Sequence, residues 1–128
     1  MAVRIVRLGS RRAVGEGLRL GTVRRPPRGV PKARFACDDW YDAWLPVLAP
    51  SDATLKLGRR AHDDAAWRRF ARRYRAEMRR PEAAQALALL AALSRQTDFS
   101  VGCYCEDESR CHRSLLRALL VERGADVR

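Results

Sequence analysis

Three stretches of the chain alternate apolar and polar residues with a period of two, and this pattern predicts three β-strands. They cover residues 2–8, where arginines alternate with aliphatic residues, residues 18–23, which Gly21 weakens, and residues 99–105 near the end of the chain. Strands therefore stand at both ends of the sequence, with most of the chain between them.

Apolar residues with helical spacing fill most of the region before the last strand. The clearest helix begins between His62 and Asp64, and its apolar residues recur at i, i+3, i+4, i+7 and i+11. They are Trp67, Phe70, Ala71, Tyr74 and Met78. We also predict a helix from Asp38 or Asp39 that ends before Pro50, a short one from Ser51 or Asp52 to Leu55, one from Pro81 to Leu93, and a last one over residues 111–123 with Gly124 as its stop.

A proline-rich loop over residues 24–32 separates the second strand from the helices. Its three prolines remove backbone donors and fix φ, so it is stiff and exposed. Strands at both ends with helices between them indicate an α/β fold, a small layered domain with a mostly parallel sheet of few strands flanked by helices. The length of 128 residues is typical of one domain, so we expect a single domain over residues 1–128.

Composition adds a strongly basic character. The formal net charge is +11 and the isoelectric point is near 10.9. A basic surface attracts phosphate, so an anionic small molecule or a nucleic acid is a candidate partner. The alternative is a solvated basic surface, because only Lys32 and Lys56 are lysines and the arginines are scattered, as a compositional habit of the genome would produce.

The sequence lacks the apolar runs that membrane insertion or export requires. Arginines interrupt the first seven residues, and no window approaches the roughly 18 apolar residues of a membrane span. We therefore expect a cytoplasmic protein with no membrane association. In that compartment the four cysteines, Cys37, Cys103, Cys105 and Cys111, are thiols or metal ligands rather than disulfides.

The strongest candidate for a functional site is the turn from Cys105 to Arg113, which leads from the last strand into the last helix. The free N–H groups and the positive end of the macrodipole favour anions at the start of that helix. Arg113 adds a guanidinium that can bind phosphate or carboxylate through two hydrogen bonds. Together with Arg24 and Arg28 from the proline-rich loop, it would form an anion pocket at the strand ends, where α/β sheets hold ligands.

Within such a pocket Cys111 would be a nucleophilic thiolate, because a helix N-terminus and a neighbouring arginine both lower a cysteine pKa. His112 is the candidate base. Glu106 is a candidate acid or base, although a charged turn that caps the last helix explains it as well. Cys105 does not begin a Cys-x5-Arg loop like that of tyrosine phosphatases, because the sixth residue after it is Cys111, whereas the sixth residue after Cys111 is Arg117. The leading hypothesis is a site that binds, and in its enzymatic version processes, an anionic phosphate-bearing ligand.

Two other hypotheses remain open. Cys103 and Cys105 share one face of a strand, and with Cys111 and His112 they supply the donors of a tetrahedral zinc site, although the spacing is unlike common zinc fingers. Core packing explains Cys103 and Cys37 equally simply. The third hypothesis is a non-catalytic nucleic-acid-binding module.

Short motifs follow one another in a specific order over most of the chain. They are Arg24, Pro27-Arg28-Gly29, Lys32, Trp44-Leu45, residues 48–51, Trp67, Phe70, residues 74–77, Cys105-Glu106 and Cys111-His112-Arg113. In this order they resemble the YeaO-like family of uncharacterised bacterial proteins, domain of unknown function 488. The resemblance supports the fold and implies that Arg24, Arg28, Lys32, Cys105 and Arg113 are ligand-binding candidates. It implies no settled activity or cofactor. Residues 23–26 depart from the Asp-Arg-Leu-Trp that many relatives carry there.

Overall fold

The computed structural model describes the whole chain, Met1–Arg128. Its strands are β1 (Val3–Arg7), β2 (Leu18–Gly21), β3 (Ala43–Trp44) and β4 (Phe99–Cys103), and its helices are α1 (Asp52–Arg59), α2 (Asp64–Glu77), α3 (Pro81–Leu93) and α4 (His112–Glu122). Short 3-10 turns lie at Lys32–Arg34, Pro46–Leu48 and Glu108–Arg110. The predicted α/β class is confirmed. None of the helices combines the length and hydropathy that a membrane-spanning helix requires.

The four strands form one fully parallel sheet in the order β1-β4-β2-β3. The last strand of the chain is therefore central, and all five of its residues are buried. Beyond the paired residues, the Leu8 N–H donates to the Cys103 carbonyl at 2.8 Å and the Thr22 N–H donates to the Gly102 carbonyl at 3.0 Å. The carboxyl ends of β1, β2 and β4 therefore meet at one edge of the sheet.

One face of the sheet packs against the helices and forms the main hydrophobic core. Alternate residues of the strands point to this face. Its fully buried members include Val3 and Val101 from the sheet and Tyr74, Leu87 and Leu116 from α2, α3 and α4. The Tyr74 hydroxyl donates to the Leu48 carbonyl at 2.7 Å, so the polar end of this core ring has a partner.

Loop residues, rather than helices, cover the other face. Here Arg19 and Ser100 are completely buried and contact the carboxylate of Glu16, which comes from the loop after β1. Tyr41 lies over Gly21, where a Cβ atom would come within 2.3 Å of the Tyr41 ring. Gly21 is therefore required for the Tyr41 ring to pack directly on this face of the sheet.

The predicted helix over residues 38–48 is wrong. Asp39 has a φ of 64°, which ends any right-handed helix there, and Leu45 precedes Pro46, which disfavours helical backbone. The chain instead forms β3, in which Ala43 lies opposite Leu20. The other predicted helices are confirmed, although α1 continues to Arg59 instead of stopping near Leu55.

The predicted last strand also ends early, at Cys103 rather than at Cys105. Tyr104 and Cys105 leave the sheet, and the polar turn at Glu108–Arg110 leads back to α4. This turn and the first residues of α4 therefore lie at the edge where three strands end.

Candidate functional site

Two thiols and an imidazole lie together at the carboxyl end of β4. Cys103 is the last residue of the strand, and Cys111 is the residue that precedes the first turn of α4. The Sγ atoms of Cys103 and Cys111 and a ring nitrogen of His112 all lie within 4.8 Å of one another, and all three residues are buried. Cys103 and Cys111 also pack against Leu8 and Tyr41 in a small second core.

Hydrogen bonding defines the state of His112. Its Nε2 lies 2.8 Å from the Thr22 carbonyl, and because a carbonyl only accepts, Nε2 carries the proton. Nδ1 lies 3.8 Å from the Cys111 Sγ. Burial lowers the pKa of His112, so the ring is neutral near pH 7. Its free Nδ1 can therefore accept a weak hydrogen bond from the Cys111 thiol or bind a metal ion.

Arg113 is buried but incompletely satisfied. Its side chain is enclosed at 3% exposure, one Nη donates to the Cys105 carbonyl at 2.6 Å, and its buried Nε has no hydrogen-bond partner. No carboxylate forms an ion pair with Arg113. Its Nε and the Tyr41 hydroxyl are the two buried side-chain polar atoms that have no hydrogen-bond partner. A buried charge without a counter-charge is costly, so the site favours negative charge beside this guanidinium.

The three clustered thiols differ in exposure and in their tendency to ionise. Cys105 is exposed, whereas Cys103 and Cys111 are buried. Hydrogen bonds from the neighbouring thiols of Cys103 and Cys111 are the main cause that lowers the pKa of Cys105, and the positive charge of Arg113 adds to it. The Cys103 thiol favours a Cys111 thiolate, but the charge on Cys105 and burial outweigh it and raise the pKa of Cys111 to about 11. Of the three thiols, the accessible Cys105 is therefore the one whose surroundings most favour ionisation.

The turn between Cys105 and α4 is fixed by ion pairs to other elements. Glu108 binds Arg117 of α4 at 2.7 Å, and Arg110 binds Asp64 of α2 at 2.8 Å while its guanidinium lies 5.6 Å from the centre of the Trp67 ring. Glu106 lies at the rim, with a side chain that is 84% exposed and 3.5 Å from Arg7. The turn is held at both ends, and Glu106 is an accessible carboxylate on it.

The structure brings together part of the predicted site. Cys105, Cys111, His112 and Arg113 share one location, with Glu106 at its rim. The Arg24 guanidinium instead donates to the carbonyls of Pro50 and Ala49, at 3.0 and 3.1 Å, and lines a cleft of about 230 Å³ with Glu77 and Arg80. Arg28 and Lys32 are exposed, and neither forms an ion pair. Of the predicted cationic ligands, only Arg113 lies beside the thiols.

Two residues at the site escaped the sequence analysis. The Thr22 carbonyl accepts a hydrogen bond from His112. The sequence feature that could have indicated this role is the position of Thr22 directly after β2. The Tyr41 hydroxyl is buried without a partner in the small core that contains Cys103 and Cys111. Tyr41 lay inside a segment that was predicted as a helix, so its position above the sheet could not be foreseen.

Comparison with known proteins identifies the family. A family model described as the active DUF488-N3 subclade matches residues 3–124. The chain therefore belongs to this subclade, which confirms the resemblance stated from its motifs. No curated protein and no solved structure matches the chain at a significant level.

Proposed function

We propose that this DUF488 protein binds an anionic, phosphate-bearing ligand at the carboxyl end of β4 and that Cys105 is its reactive thiolate. The observation that carries the proposal is the buried Arg113 guanidinium, whose Nε has no partner and which no carboxylate neutralises. A ligand oxygen that displaces the residues covering this guanidinium would meet an Nε donor that has no existing bond to give up. The positive end of the α4 macrodipole, at His112, also favours an anion there.

Geometry favours Cys105 over Cys111 as the nucleophile. A nucleophile must reach its substrate, and Cys111 is only 2% exposed whereas Cys105 is accessible. Cys111 and the free Nδ1 of His112 instead form a buried thiol–imidazole pair behind Cys105. The electrophile that fits this arrangement is a phosphoryl or acyl group on an anionic molecule. The description of the subclade as active supports a site that carries out chemistry.

The proposal is tested by alkylation of metal-free protein with iodoacetamide between pH 5 and pH 9, followed by peptide mass spectrometry. We expect Cys105 to react well below the ordinary cysteine pKa of about 8.5, because a thiolate is the reacting species. Cys37, an exposed thiol outside the cluster, serves as the internal reference. Inorganic phosphate should slow the reaction of Cys105 and leave that of Cys37 unchanged.

Two variants separate the roles of the thiols. Cys105→Ser should remove the reaction at low pH, whereas Cys111→Ser should retain it. Sodium chloride at equal ionic strength controls for screening by phosphate. If Cys105 and Cys37 respond identically to pH and to phosphate, the proposal is refuted.

A zinc centre is the second candidate function, and the close approach of Cys103, Cys111 and His112 favours it. Ligating histidines usually donate their second ring nitrogen to a carbonyl or carboxylate, as Nε2 of His112 does to Thr22. With Cys105 as the fourth ligand, three thiolates and one Zn²⁺ would carry a net charge of −1 beside Arg113. Zinc at this position would stabilise the edge where three strands end.

Metal analysis distinguishes the two functions. A zinc centre predicts about one zinc per chain by elemental mass spectrometry on untagged protein purified without added metal or chelator. It also predicts that the clustered cysteines resist alkylation until zinc is removed, while Cys37 reacts throughout. Metal-free protein that remains folded and does not take up added Zn²⁺ would exclude the zinc centre.

A further inference from the structure

The exposed side of α2 is made only of arginine and alanine after its first residue. These exposed residues are Ala65, Arg68, Arg69, Arg72, Arg73 and Ala76. At about 100° per residue they cover one continuous side of the helix. The opposite side carries the buried Phe70 and Tyr74. We call the six exposed residues the α2 arginine face.

None of the four arginines of this face takes part in an ion pair. Eight arginines elsewhere pair with carboxylates, including Arg75 on the inner flank of the same helix. Asp64, the nearest exposed acid of α2, is held by Arg110. Twelve other arginines also lack an ion pair, but on the α2 arginine face four unpaired arginines lie side by side with no acidic residue among them.

We propose that the α2 arginine face binds the phosphate backbone of a nucleic acid. Arg68 and Arg72, like Arg69 and Arg73, are one turn apart, with a rise of about 6 Å along the helix. They form two adjacent rows whose guanidinium groups can donate hydrogen bonds to successive phosphates. The alanines beside them add no bulk that would hold a strand away.

The composition of the face argues against other anionic partners. Interfaces with proteins need apolar or aromatic anchors at their centre, and the α2 arginine face has none. A helix that lies in a membrane surface needs an exposed apolar side, whereas the apolar side of α2 is buried in the core. Phosphate contacts without base recognition are the interaction that arginines on a solvent-facing helix make best.

This binding surface is independent of the proposed cysteine chemistry. The residues of α2 that approach the site, Trp67 and Tyr74, lie on its inner side, with Tyr74 5.6 Å from the His112 ring. Substitutions on the α2 arginine face can therefore be tested without altering the thiols. Alkylation of Cys105 should be the same in those variants as in the original chain.

The test is fluorescence anisotropy with a labelled 20-base-pair duplex of random sequence and the corresponding single strand, between 50 and 200 mM salt. Four phosphate contacts predict a slope of about −3.6 in log K against log salt for duplex DNA, which is roughly a hundredfold loss of affinity over this range. Replacing Arg68, Arg69, Arg72 and Arg73 by glutamine should remove most of that slope. Glutamine retains helix propensity, so circular dichroism should be unchanged.

A second variant removes the same charge elsewhere. It replaces Arg4, Arg11, Arg123 and Arg128 by glutamine, none of which forms a side-chain ion pair. This control should keep most of the salt dependence and most of the affinity. The proposal is overturned if both variants lose equal affinity, or if the original chain at 50 mM salt binds only polyglutamate or anionic vesicles and neither nucleic acid.

Discussion

Glu16→Gln should lower the free energy of unfolding by about 3–5 kcal/mol, because it leaves the buried charge of Arg19 without its counter-charge. Arg19 is fully buried, and its Nε and Nη2 donate to the two oxygens of Glu16 at 2.7 and 3.0 Å. Its Nη1 already donates to the carbonyls of Ser10 and Asp39. No other carboxylate contacts this guanidinium, so nothing in the network can replace Glu16.

Denaturant unfolding followed by circular dichroism measures this loss. Glu122→Gln is the matched control, because it removes the same charge from the partly exposed pair with Arg75 and should cost less than about 1 kcal/mol. Similar losses in the two variants would show that burial of the Glu16–Arg19 pair does not set its contribution to stability.

The same pair should contribute an acid-sensitive part of the stability. Burial alone would raise the pKa of Glu16, but hydrogen bonds from Arg19, Ser100 and the Ala13 N–H lower it to about 2. A carboxyl with a depressed folded-state pKa stabilises the fold above its unfolded pKa of about 4.5, and this contribution is lost as the pH falls towards 2. Titration of the unfolding free energy should show that loss in the original chain and a smaller one in Glu16→Gln.

Arg113→Gln should shift the pH midpoint of Cys105 alkylation upwards in metal-free protein, because it removes a positive charge that favours the thiolate, although the neighbouring thiols contribute more to the low pKa of Cys105. The guanidinium is held against the Cys105 backbone by the 2.6 Å hydrogen bond to its carbonyl. Because it is buried and has no carboxylate partner, its charge acts on the thiolate with little screening. Phosphate should also lose its protective effect on Cys105.

Arg123→Gln, which removes a charge just beyond the other end of α4, provides the control and should leave the midpoint in place. Arg113→Lys should retain part of the effect, since lysine keeps the charge but not the planar fork. A midpoint that does not move in Arg113→Gln would mean that neighbouring thiols alone stabilise the Cys105 thiolate, and would remove the electrostatic basis of the anion site.

The local spacing of apolar residues was sufficient to predict the elements whose tertiary packing follows that spacing. The apolar residues of α2 recur with helical spacing, and the structure buries Phe70, Tyr74 and Met78 as that pattern predicts. The site was also predictable in outline, because a strand that runs into a helix after a polar turn places Cys105 and Arg113 at a strand end. These inferences need only the order of residues nearby.

The errors concern features that depend on distant partners. Residues 38–48 carry apolar residues at helical spacing, yet β3 forms because β2 offers it an edge and because Asp39 adopts a left-handed backbone. Glu16 lies in a segment that resembles a surface loop, and only the folded sheet shows that it is buried against Arg19. Arg24 illustrates the same limit, because the direction of a long side chain depends on which carbonyls lie within reach, here those of Pro50 and Ala49.

The central position of β4 has a consequence for the order of events during synthesis. β1 and β2 do not pair with each other, because β4 lies between them. The ribosome makes β4 about eighty residues after β2, so both pairings are long-range in sequence. Until residues 99–103 emerge, the edges of β1 and β2 that pair with β4 have no partner. We therefore expect the sheet to close late and slowly, and its cysteines to meet only after almost the entire chain has left the ribosome.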